Sequence, residues 1–209
     1  MEKADIQKYV TFIETIPSSL KDTADLVSDR LQAALFARDW MKARRILDGS
    51  ATGEFALGYC NGGVPREAGE IWLLRFQGAS PTPEPRFEAA RDRMKRQVDE
   101  DPEEAGRLSL LGMFDAALGR KQEAIEEAKR AVDMVPTSRD AEKGPGLVTN
   151  LAIVYGWLQE TEAAFRELSI SVNTPGGVCY GELACDPFWD PLRKDPRFDK
   201  LSAQLALHD

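Results

Sequence analysis

The chain has 209 residues, 43% hydrophobic and 30% charged, with 27 Lys plus Arg against 35 Asp plus Glu and a formal charge of −8. This composition supports a buried core and excludes disorder throughout. The acidic balance disfavours a phosphate backbone as partner, and no apolar run approaches the ~20 residues of a membrane span.

Ile6, Tyr9, Val10, Ile13 and Ile16 share one helical face that Pro17 stops. This helix reads as the second half of a repeat, which suggests a piece of a longer array. Val27, Leu31 and Ala34, then Ala43, Ile46 and Leu47, predict a helix pair bent at Arg38-Asp39. The Asn61-Gly62-Gly63 loop lacks the Gly-Lys-Ser/Thr ending of a phosphate-binding loop and reads as a turn. A second pair follows, with Ile71 to Gln77 in its first helix and Phe87, Ala90, Met94 and Val98 in its second. Its connection, Gly78 to Pro85, carries Pro81, Pro83 and Pro85 and cannot be helical. Arg86, Arg91, Arg93, Lys95 and Arg96 alternate with Glu88, Asp92, Asp99 and Glu100. That pattern predicts a solvated face of mixed ion pairs rather than a basic patch.

Asp101-Pro102-Glu103-Glu104 offers an N-cap acid, a proline at the first helical position and two acids in the first turn. The helix it opens carries Leu108, Leu111 and Gly112 and is broken by Gly119. Ala124, Ala128, Ala131 and Val135 then line one face of a second helix, which Pro136 ends. The string Leu108-x-x-Leu111-Gly112, Gly119, Ala124, Ala131, Pro136 resembles the tetratricopeptide repeat consensus, in which small residues sit where two helices cross closely. Asp115 stands where that consensus has an aromatic residue, with Phe114 beside it. A further pair begins near Gly144, with Val148, Leu151, Ala152 and Tyr155 on one helix and Ala164, Phe165, Leu168 and Val172 on the other. There Gln159 replaces the usual turn glycine. The resemblance implies an all-α fold, an α-α superhelix in which antiparallel helix pairs stack as a TPR-like solenoid. It implies one domain over 1–209, with pairs at about 20–48, 64–100, 105–136 and 145–175 and a capping tail at 180–209.

The tail Asp186-Pro187-Phe188-Trp189-Asp190-Pro191-Leu192-Arg193-Lys194-Asp195-Pro196-Arg197-Phe198, together with Val135 to Ala141, is similar to the C-terminal repeat arrays of bacterial multidomain signalling proteins. In that group a serine/threonine kinase, a cyclase-like domain or a winged-helix domain precedes the repeats. The likeness covers about residues 20–205. Trp189, Leu192, Phe198 and Leu201 are expected to cap the open apolar end of the last pair. A ligand-binding role for Trp189 is the alternative.

Little in the chain points to catalysis. His208 is the only histidine, so no nucleophile–histidine pair is expected. No His-Arg-Asp or Asp-Phe-Gly string occurs. Paired acids such as Glu103-Glu104 and Glu126-Glu127 read as solvated helix faces. Cys60, Cys179 and Cys185 form no metal-binding spacing, although Cys179 and Cys185 could pair in an oxidising compartment. No cofactor or metal is expected, and neither is direct nucleic-acid binding.

The repeat resemblance implies a concave groove lined by the first helix of each pair. In that phase Ser28, Gln32, Trp72, Ser109, Met113, Asn150, Ile153 and Trp157 face the groove; Trp72 and Trp157 read equally well as core. The resulting expectation is a non-catalytic protein–protein interaction scaffold that binds a protein or peptide, as the regulatory repeat region of a larger bacterial signalling protein. A small-molecule sensor using the groove or the Cys60–Val64 loop is the alternative. The polar start, Met1 to Asp5, is unlike a secretory signal. Solubility and sparse cysteine favour the cytoplasm, with an extracytoplasmic part of a membrane-anchored protein as the other option.

Overall fold

The computed structural model describes residues 3–17, 23–51, 53–57, 59, 63–79 and 84–206. Cys60, the Asn61-Gly62 step, Ser80 to Pro83 and His208 lie outside the described residues. The fold is all-α. Its helices are α1 (Lys3–Thr15), α2 (Ala24–Phe36), α3 (Trp40–Gly49), α4 (Arg66–Phe76), α5 (Pro85–Glu100), α6 (Ala105–Leu118), α7 (Lys121–Met134), α8 (Gly144–Trp157), α9 (Thr161–Val172), α10 (Tyr180–Cys185) and α11 (Pro196–Ala206). A short 3-10 turn, Pro187–Trp189, lies between the last two. The sequence pattern did not anticipate two two-residue strands, β1 (Glu54–Phe55) and β2 (Val64–Pro65), which pair antiparallel.

Four tight turns repeat along the chain. Arg38, Gly78, Gly119 and Gln159 each adopt positive φ, at 57°, 76°, 79° and 63°. Each is followed by the same closing hydrogen bond back into the preceding helix: Asp39 N–H to the Ala34 carbonyl, Ala79 to Leu74, Arg120 to Asp115 and Glu160 to Tyr155. This is the 6→1 bond of a Schellman cap, which needs a left-handed residue. Glycine reaches that conformation freely; Arg38 and Gln159 do so against a steric cost. The four turns divide α2/α3, α4/α5, α6/α7 and α8/α9 into successive helix pairs.

Helix α6 lies so close to α7 that a Cβ on Gly112 would stand 3.0 Å from the Ala124 carbonyl oxygen and 3.1 Å from the Ala128 nitrogen. The small stripe Ala124, Ala128 and Ala131 allows that approach, and each is at most 1% exposed. The start of α6 differs from the expectation. Asp101 closes α5, and Glu104 caps α6 by accepting the Gly106 N–H at 3.1 Å. Pro102 therefore sits in the turn before the helix. Asp195 caps α11, accepting the Arg197 N–H at 2.9 Å.

One continuous apolar core runs from Val27 to Phe198. Helix α1 joins through a separate small cluster, in which Ile13, Leu26 and Ala33 pack with Tyr9, Val10 and Ile16. Among the described residues no helix is long and apolar enough to cross a membrane.

Candidate functional site

The residues expected to line an open groove are mostly interior. Trp72, Ser109, Met113, Asn150, Ile153 and Trp157 are all buried, as is Ser28, and Gln32 alone is half-exposed. The expectation of an open groove along these side chains is corrected by two covering segments. The first is the β1–β2 region. Ser28 Oγ accepts the Ala56 N–H at 2.9 Å, and Asn150 Nδ2 donates to Ser109 Oγ at 3.1 Å and to the Tyr59 carbonyl at 3.4 Å.

The second cover is the tail. Phe188 stacks on Trp157 at 5.4 Å between ring centroids and meets Trp72 and Phe76 edge-on at 5.2 and 5.1 Å. Trp157 Nε1 donates to the Phe188 carbonyl at 3.2 Å. Trp189 is fully buried beside Tyr59 and donates from Nε1 to its hydroxyl at 3.3 Å. Arg75, at the end of α4, donates to the Trp157 carbonyl and lies 5.1 Å from that ring. The tail thus does more than cap the last pair. It reaches the first pair, where Arg38 donates to the Cys185 carbonyl and pairs with Asp190 at 2.7 Å.

Asp186 anchors this crossing. Its carboxylate accepts the Phe188 N–H at 3.1 Å, which starts the 3-10 turn. Burial pushes its pKa up to about 7, with the Glu182 charge adding to the rise while the Phe188 N–H, Arg38 and Arg193 oppose it. Burial also raises the Tyr59 hydroxyl well above its ordinary value. Both described cysteines are free thiols; Cys185 is buried and Cys179 exposed.

A second polar cluster lies inside the α5–α6–α7 contact. Arg91 makes a forked pair with Asp115, at 2.9 and 2.7 Å, and Asp115 is fully buried. Arg91 therefore departs from the solvated face expected of its helix. Glu127 departs too: its side chain is 14% exposed and lies 3.9 Å from Arg91. Burial first, and then the neighbouring Asp115 charge, raise its pKa to about 8. Asp115 thereby links the α4/α5 pair to the α6/α7 pair.

Open surface is found elsewhere, on α1–α3. A recess of about 710 Å³ is walled by Glu14, Arg30, Asp39, Lys42 and Arg45 over Val27 and Ile46. An adjoining recess of about 570 Å³ is lined by Trp40, Met41, Arg44, Arg45 and Gln77. Met41 is 77% exposed and Phe12 64%. Single-face apolar patterning could not reveal this site, since Met41 and Arg45 lie off the buried stripe of α3. Among the described residues no three His, Cys, Asp or Glu side chains are grouped as metal ligands. Compared with protein-family profiles, curated proteins and solved structures, the chain matches none.

Proposed function

We propose that this chain is a non-catalytic protein-interaction scaffold that docks its partner through the α1–α3 face. The supporting observation is where its open surface lies. Of the side chains first expected to bind, Trp72 and Trp157 hold the chain's own tail, and Ser28 and Asn150 hold the β1–β2 region. The two most exposed large apolar side chains, Phe12 and Met41, and the recess of about 710 Å³ fall on α1–α3, and the recess of about 570 Å³ lies between α3 and Gln77 at the end of α4. Exposed apolar groups beside concave surface are the general mark of a docking face. The tetratricopeptide-like resemblance agrees with this reading, and extends it to the regulatory repeat region of a larger bacterial signalling protein.

The test uses the full chain as bait, beside a Met41→Glu/Arg45→Glu double variant and an Ile170→Glu control. Ile170 is 46% exposed on α9, far along the chain from α3. A partner that is retained by wild type and control, lost from the double variant, and then bound directly in purified form fits the reading. Equal capture by all three baits rules out this face.

A further inference from the structure

The two recesses on α1–α3 meet at one side chain. Arg45 lines both. Its Nε donates to the Met41 carbonyl one turn earlier, at 3.4 Å. Helical side chains lean toward the N-terminus, and this bond holds the Arg45 side chain back over the preceding turn of α3. On one side stand Arg30 and Lys42. On the other stand Trp40 and Met41. Trp40 is a braced wall, 6.2 Å from the Phe76 ring and 5.9 Å from the Arg38 guanidinium. Met41 is a flexible apolar surface that can mould to a partner.

The charges here are already sorted. Asp39 is engaged in capping α3 through the Lys42 N–H at 3.0 Å, and Glu14 pairs with Lys42. Arg44 pairs with Asp48 at 3.0 Å. Among the described residues Arg45 makes no ion pair, in a chain whose formal charge is −8. A cation set between a charged recess and an apolar one complements a ligand with an anionic group beside an apolar group. Neither recess is enclosed. A small molecule is usually held by burial on most sides, whereas an extended chain can cross two open recesses and lie on the surface between.

We propose that this face binds a partner segment in which an acidic residue stands next to a bulky apolar one. The carboxylate meets Arg45 with Arg30 behind it, and the apolar side chain enters the Trp40–Met41 recess. The inference rests on the scaffold reading above and adds the partner's chemistry to it. Removing one charge-assisted contact of this kind weakens binding about tenfold.

The experiment selects a random library of displayed peptides, each of about a dozen residues, on the immobilised full chain at low salt. Recovered peptides are then measured by fluorescence anisotropy on wild type, Arg45→Gln and Met41→Ser. Both substituted side chains are exposed, and helical circular dichroism checks that each variant is folded. The expected peptides carry Asp or Glu beside Leu, Ile, Phe or Trp, and lose about tenfold in affinity on either variant and at higher salt. Peptides that depend on Met41 and Arg45 but show no acidic enrichment overturn the partner chemistry and leave the docking face standing. A selection with no peptide sensitive to either substitution overturns both.

Discussion

Phe188 lies buried against Trp157, and Trp189 beside Tyr59, at the inner end of the tail, whereas Trp40 is only half-buried and Met41 is 77% exposed at the start of α3. Both sets adjoin the same kind of left-handed turn, at Gln159 and at Arg38. The difference is what crosses them. The segment from Cys179 to Phe198 folds over the first set and ties itself to Arg38. Helix α1 is joined to the second region by the small Ile13–Leu26–Ala33 cluster, the Tyr9–Phe36 ring contact and the exposed Glu14–Lys42 ion pair, and none of these covers Trp40 or Met41. Large apolar side chains in one region hold the fold; in the other they remain available for a partner.

The most severe way to break that contrast is Phe188→Ala. Phe188 is 2% exposed and meets three aromatic rings. Removing a buried ring and leaving a cavity costs about 3–5 kcal/mol. Urea unfolding should show a loss of that size. A loss within about 0.5 kcal/mol, the range of a surface change, would mean that the tail is loosely held and the inner face open.

The Arg91–Asp115 link should follow closely. Asp115→Ala leaves the Arg91 guanidinium buried without its main partner, which costs about 3 kcal/mol or more. An Arg91→Met/Asp115→Leu double variant removes both charges and should recover most of that loss in the same denaturation assay. If the double variant is as unstable as the single one, the link contributes through packing rather than charge.

Stability should also depend on pH through Glu127 and Asp186. Both folded pKa values are raised, to about 8 and about 7, so the neutral carboxyls are favoured in the folded state. Their contribution is complete below the unfolded values and is lost as pH rises through the folded ones. Thermal melts between about pH 5 and pH 9 should therefore show a falling Tm. Glu127→Gln should flatten the upper part of that fall, and Asp186→Asn the part below about pH 7. A fall unchanged by either substitution would assign it to other groups.

The helices themselves were legible in the sequence. Ala124, Ala128 and Ala131 announced a buried stripe, Gly119 a helix end, and Pro136 a stop. These are local signals, carried by spacing and backbone preference. The use of the groove residues was not legible, because it depends on where residues 54–57 and 59, and residues 186–193, travel. Arg38 to Asp190 spans a sequence separation of 152, and no periodicity reports such a contact. Glu127 looked solvated for a related reason. Its charged neighbours, Arg91 and Asp115, lie on two other helices, and its own pattern does not report them.

The smallest effect on stability is expected at the open face, and its smallness is the point. Met41 is 77% exposed, and Arg45 is exposed and joined to the fold by one long hydrogen bond. Surface changes of this kind stay within about 0.5 kcal/mol. Met41→Ser and Arg45→Gln should therefore leave the urea midpoint and its slope close to wild type. If either substitution instead destabilises the protein by 2 kcal/mol or more, well beyond the roughly 0.5 kcal/mol of a surface site, these side chains belong to the folding machinery. The contrast between a sealed region and a docking region would then fail.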